Sequence, residues 1–162
     1  MKAPAILSRN PRAIYLNDHL AGATAGVELA RRVASENDGT EFGPPLRQLA
    51  QEIAEDREAL IALITQSGYP IDRVKVAVGW SAEKVARLKP NGRVVGYSPL
   101  SRLLELEGLL GGIRAKQALW RALAATGTDE PRLASLLARA DQQMQVVDGL
   151  QRQAADLAIA SP

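Results

Sequence analysis

Residues 68–98, GYPIDRVKVAVGWSAEKVARLKPNGRVVGYS, separate the chain into two halves of similar character. Gly68 and Pro70 open the stretch, Pro90-Asn91-Gly92 breaks it with a turn, and Ser98-Pro99 closes it with a helix-start signal. The spacing predicts one short helix at residues 81–88, with Ser81 as its cap, and extended chain at residues 93–97. On either side lies a pair of long helical patterns, and within each pair the connection is only about 5–10 residues. A short link between long helices makes an antiparallel hairpin. A link of about 30 residues is long enough to travel the length of the helices it joins.

The four long patterns are regular. In the first, residues 12–34, Leu16, Leu20, Ala23, Val27 and Ala30 recur at steps of four and three, which puts them on one face. Asn10-Pro11 is its cap and first turn, and Glu36-Asn37-Asp38-Gly39 ends it. The second, residues 44–67, carries Leu46, Leu49, Ile53, Asp56, Leu60 and Leu63. The third runs from Ser98-Pro99 to Ala125 with Leu103, Leu106, Leu110, Ile113, Gln117 and Trp120 on its stripe, and Gly127 stops it. Gly108, Gly111 and Gly112 lie inside it, where each costs roughly 1 kcal/mol against Ala and permits close helix approach. The fourth begins near Asp129-Glu130-Pro131 and runs to residue 158 through Leu133, Leu136, Ala140, Gln143, Val147, Leu150, Ala154 and Leu157.

Composition agrees with helix. Ala, Leu and Arg recur, and the only aromatic residues are Tyr15, Phe42, Tyr69, Trp80, Tyr97 and Trp120. A length of 162 residues suits one domain, residues 1–162. The absence of cysteine excludes disulfides, thiolate metal sites and cysteine nucleophiles. No apolar run approaches the roughly 20 residues of a membrane span, and the patch at residues 3–7 is shorter than a signal-peptide core of about 7–15. A cytoplasmic protein without membrane contact is expected.

The segments Tyr15-Leu16-Asn17-Asp18-His19-Leu20, Glu52-Ile53-Ala54-Glu55-Asp56-Arg57-Glu58 and Leu103-Leu104-Glu105-Leu106-Glu107-Gly108 look like those of small bacterial ferritin-like proteins of uncharacterised type. With the two hairpins and long crossover, the expected fold is all-α, a ferritin-like four-helix bundle. Active members hold two metal ions with a Glu on each of two helices and a Glu-x-x-His on each of the others. The resemblance places Glu28 on the first helix, Glu52 or Glu55 on the second, Glu105 or Glu107 on the third and Asp141 on the fourth. Three residues beyond the second-helix candidates stand Glu55 and Glu58, and beyond Asp141 stands Met144, so both His ligands are missing. Glu28, Glu55, Glu107 and Asp141 are at most a remnant site, and no cofactor is expected.

No phosphate loop, no G-x-G-x-x-G and no H-E-x-x-H occurs, and a catalytic triad would depend wholly on His19. Enzymatic activity is left open with the balance against it. The leading expectation is a non-catalytic binding or structural protein. Its rivals are a carboxylate-rich iron or manganese protein and a weak nucleic-acid or anion binder. The last would use residues 73–93, where Arg73, Lys75, Lys84, Arg87, Lys89 and Arg93 face a single acid, Glu83, around Trp80. One Trp and no nucleic-acid fold weigh against it. Leu104, Leu109, Leu119 and Leu123, apolar beyond the third helix's stripe, suggest a homodimer; no other protein partner is indicated.

Asp56 stands where an apolar residue belongs, between Ile53 and Leu60. A carboxylate buried there needs a cation or a donor. Arg114, beside Ile113, is the first choice, with Gln117, Gln143 and His19 behind it.

Overall fold

The computed structural model describes residues 10–78 and 97–160. Among them the regular structure is all helical, with no strand. The long helices are α1 (Pro11–Glu36), α2 (Gly43–Gln66), α3 (Pro99–Ala125) and α4 (Leu133–Ile159). Residues 73–78 are also helical. The short helix expected at residues 81–88 lies outside the described residues, as do most of residues 93–97. None of the four long helices is apolar enough to cross a membrane.

Helix ends fall where the sequence punctuates them. The Asn10 side chain accepts from the amides of Arg12 and Ala13, at 2.9 and 3.4 Å, and Pro11 occupies the first turn. Ser98 accepts from the Ser101 amide at 3.1 Å ahead of Pro99. At the ends of α2 and α3 the chain turns through Gly68 (φ 72°) and Gly127 (φ 66°). The Tyr69 amide donates to the Ile64 carbonyl and the Thr128 amide to the Leu123 carbonyl, both at 3.1 Å. These are the six-to-one bonds of a Schellman ending, which needs a left-handed residue and therefore favours glycine. The start of α4 is later than expected: Pro131 and Arg132 form a turn, and the helix begins at Leu133.

Side-chain contacts give the directions. The end of α1 meets the beginning of α3, through Asn37 with Tyr97 and Arg32 with Glu105. The beginning of α1 meets the end of α3, through Arg12 and Thr128. These two helices are therefore antiparallel. The end of α2 returns to the start of α1, where Tyr69 meets Asn10 and Pro70 meets Asn17. It follows that α2 and α3 point the same way, and that residues 67–98 connect opposite ends of the helices. The α4 helix runs back along α3 and touches α2 through Gln143, Arg139 and their carboxylate partners.

Two apolar clusters fill the interior. One gathers Val27, Val33, Phe42, Leu46, Leu106 and Val147 with their neighbours. The other gathers Leu16, Leu20, Leu60, Ile64, Trp120 and Leu136 with theirs. Every stripe residue of α2 and α3 named above is buried, but Leu157, on the stripe of α4, is exposed. Of the four leucines that suggested a homodimer, Leu109, Leu119 and Leu123 are buried within the chain, and only Leu104 is outside, at 43% exposure. The third helix is covered on two sides by its own chain, which accounts for its broad apolar surface.

Candidate functional site

Between the two apolar clusters lies a polar layer centred on Asp56. The stripe of α2 carries the carboxylate inward, and its exposure is 1%. Arg114 does not reach it. One residue along a helix is a rotation of about 100°, so the neighbour of inward-facing Ile113 points outward, and Arg114 is exposed. Lys116 follows Ile113 by three residues and shares its face. Its Nζ lies 2.5 Å from Asp56 Oδ2. On the other side, Arg139 NH2 approaches Oδ1 to 2.5 Å as an ion pair, out of line for a hydrogen bond. Gln143 donates to Oδ2 at 3.2 Å and to Glu52 Oε2 at 3.2 Å, and its carbonyl oxygen accepts from Lys116. Arg139 also holds Glu55, at 2.9 Å. The layer thus joins α2, α3 and α4 with two cations on one fully buried carboxylate. Burial pushes the Lys116 ammonium below its usual value, and Asp56 pulls it part of the way back.

The positions that the ferritin resemblance suggested as a metal set are not brought together. Glu28 pairs with Arg31, Glu55 with Arg139, Glu107 with Gln151, and Asp141 with Gln117, each on its own part of the surface. Among the described residues, no three His, Asp or Glu side chains are grouped to hold a metal ion. The geometric reason is the direction of each side chain: Glu55, Glu107 and Asp141 are exposed, whereas Asp56 is buried and Glu52 half-covered. Glu105 turns instead to the end of α1. It accepts from the Tyr97 hydroxyl at 2.8 Å and pairs with Arg32 at 3.1 Å. Burial raises its carboxyl above the ordinary value against these two donors, and burial likewise pushes the Tyr97 phenol up.

His19 packs edge-on against Tyr15, with ring centroids 4.6 Å apart. Burial lowers its pKa, and Asp18 offsets this in part. Its neighbours anchor the start of the long connection. Asn17 donates to the Pro70 carbonyl and accepts from the Asp72 amide, and Asp18 pairs with Lys75 at 2.6 Å. Of the basic segment, Lys75 is thereby engaged with an acid; Trp80, Lys84, Arg87, Lys89 and Arg93 lie outside the described residues.

Beside the Asp56 layer, α1, α2 and α3 line a cavity of about 120 Å³ that is open to solvent at Gly22, Gly108, Gly112 and Ala115. Its α1 wall contains Gly22, Ala23 and Gly26, and its α3 wall contains Gly112 and Ala115. A Cβ placed on Gly22, Gly26 or Gly112 would meet nothing within 4 Å, whereas one on Gly108 would lie 3.3 Å from Leu29 Cδ2. The helices therefore touch at Gly108 and part beyond it. Trp120 is among the residues that line it, and its buried indole N–H has no hydrogen-bond partner among the described residues.

Lys116, Arg139 and the cavity are the parts of this region that sequence reasoning missed. Lys116 and Arg139 each follow a buried residue, Ile113 and Leu136, by three, which is the signal that would have found them. Gly22-x-x-x-Gly26 is the corresponding sign on α1. No protein-family model, curated protein or solved structure matches this chain.

Proposed function

We propose that this chain is a ferritin-like four-helix bundle whose centre is neutralised by its own side chains, and that it works as a non-catalytic binding protein rather than a metal enzyme. The topology supports the first half: parallel α2 and α3 follow from the contacts of α1 with both, and residues 67–98 join opposite ends. The observation that carries the second half is the pair of cations on Asp56, Lys116 and Arg139, at the depth where a bundle of this kind would place its metals. A buried carboxylate demands positive charge. Here an ammonium and a guanidinium provide it, and a metal ion would have to displace both. The missing Glu-x-x-His pairs point the same way.

The test is elemental analysis of protein purified from cells grown with added iron and manganese. The expected result is less than one ion of either metal per chain. Two ions per chain, lost on Asp56→Ala or Glu52→Ala, would overturn the proposal and restore the carboxylate-rich metal protein.

A further inference from the structure

The cavity beside the polar layer opens outward along the seam between α1 and α3, and the face around its mouth is apolar. On α3 the outward row is Leu104, Gly108, Ala115, Ala118 and Ala122, exposed or half-covered and without a charge over about five turns. On α1 the row beside it contains Tyr15, Gly22, Gly26 and Leu29, exposed or half-covered in the same way. The outer face of a solvated helix ordinarily carries charged and polar residues, and an apolar surface two helices wide marks a place of contact. We propose that the α1–α3 face is the interface of a symmetric dimer, in which α1 of one copy lies along α3 of the other.

The two helices are complementary to each other, which is what a second copy requires. Their relative levels are fixed by Arg12 with Thr128, Leu29 against Gly108 and Arg32 with Glu105. A two-fold axis running along the helices keeps every residue at its own level and exchanges α1 for α3. Gly22 then faces the partner's Ala115, and Gly26 the partner's Gly112, so the backbones approach where neither helix has bulk. Ile14 and Tyr15, 45% and 38% exposed, come against the small side chains of the partner's Ala122 and Ala125. Asp18, a charge set into the α1 row, comes level with the partner's exposed Arg121, so opposite charges meet at the rim. The area is sufficient. From Leu100 to Ala125 the face is about 37 Å long at about 1.5 Å per residue, and two packed helices are about 20 Å wide, which gives roughly 700 Å² on each copy. A standard interface buries about 800 Å² per partner.

The test is the mass in solution, by sedimentation equilibrium from about 1 to 500 μM, of the unmodified chain, Gly22→Glu and Ala115→Lys. The unmodified chain should be a dimer with Kd of about 10 μM or tighter. Both substituted positions are exposed, a Cβ on Gly22 meets nothing within 4 Å, and glutamate is a better helix former than glycine, so the helical circular dichroism should be kept. Each variant alone buries two unpaired charges in the dimer and should associate at least about thirtyfold more weakly. An equimolar mixture sets the introduced carboxylate against the introduced ammonium and should associate at least about tenfold more tightly than either variant alone. A monomer mass for the unmodified chain up to 500 μM would overturn the proposal. So would unchanged association of a folded variant, or a mixture no tighter than its components. If one variant does not fold, the unmodified chain and the other variant decide. None of these outcomes bears on the metal content, so the neutralised centre stands or falls separately.

Discussion

Removing the Asp56 carboxylate should cost more than removing either cation, and the structure sets the size of the effect. Breaking a buried ion pair from one side costs about 3–5 kcal/mol when the survivor is left without a counter-charge. In Asp56→Ala there are two survivors. Arg139, 29% exposed, keeps Glu55 at 2.9 Å and has access to water. Lys116, 13% exposed, keeps the carbonyl oxygen of Gln143 but no carboxylate in contact, Glu52 acting on it only through its charge. One of the two is orphaned, so the loss belongs at the low end, about 3 kcal/mol. For a domain of this length that is a fall in Tm of about 6–12 °C. Lys116→Met leaves Asp56 with Arg139 and Gln143 and should cost only about 1–2 kcal/mol. The double variant Asp56→Leu, Lys116→Met replaces the pair by apolar side chains and should lie within about 1 kcal/mol of wild type. Urea unfolding followed by circular dichroism measures all three, with m values checked for constancy. An Asp56→Ala protein within about 0.5 kcal/mol of wild type, or additive losses in the double variant, would refute a buried and coupled centre.

Gly111→Ala should stabilise by about 0.5–1 kcal/mol, because the residue is interior to α3 and an added Cβ meets nothing within 4 Å; thermal melts check it. Gly43→Ala should destabilise, since its Cβ would come within 2.9 Å of the Asn37 carbonyl oxygen, and the same melts would show a lower Tm. Glu105 should titrate above its ordinary 4.5 in a carbon-detected NMR experiment, because burial outweighs the Tyr97 hydroxyl and the Arg32 guanidinium. With the folded pKa above the unfolded one, the native state holds the extra proton between the two values. Wild-type stability relative to Glu105→Gln should therefore rise as pH falls from neutral to 4.5, and a fall would contradict the direction.

Helix positions were legible because each helix has one apolar face and marked ends. Leu46, Leu49, Ile53, Leu60 and Leu63 are spaced for one face, and all are buried. Asn10, Ser98, Gly68 and Gly127 stand at the ends they signal. Asp56 is conspicuous for the same reason: a charge on an apolar stripe. Its partners were harder to find, because pairing depends on rotation about the helix axis as well as on proximity in sequence. Arg114 adjoins an inward residue yet points out, whereas Lys116 lies a turn further and points in. The carboxylates suggested as metal ligands are divided by the same rotation, since spacing alone does not distinguish Glu55 from Asp56, and one is exposed where the other is buried. The cavity had only the Gly22-x-x-x-Gly26 spacing as its sign. Gly108 and Gly112 look alike in sequence, but one meets Leu29 and the other borders open space.

The most direct measurement of the self-neutralised centre is a crystal structure from crystals soaked in manganese chloride, with anomalous data collected for the metal. The account predicts Lys116 Nζ and an Arg139 nitrogen against the Asp56 carboxylate and no anomalous peak among Glu52, Asp56 and Gln143. An anomalous peak coordinated by Asp56, with Lys116 displaced from it, would contradict the account.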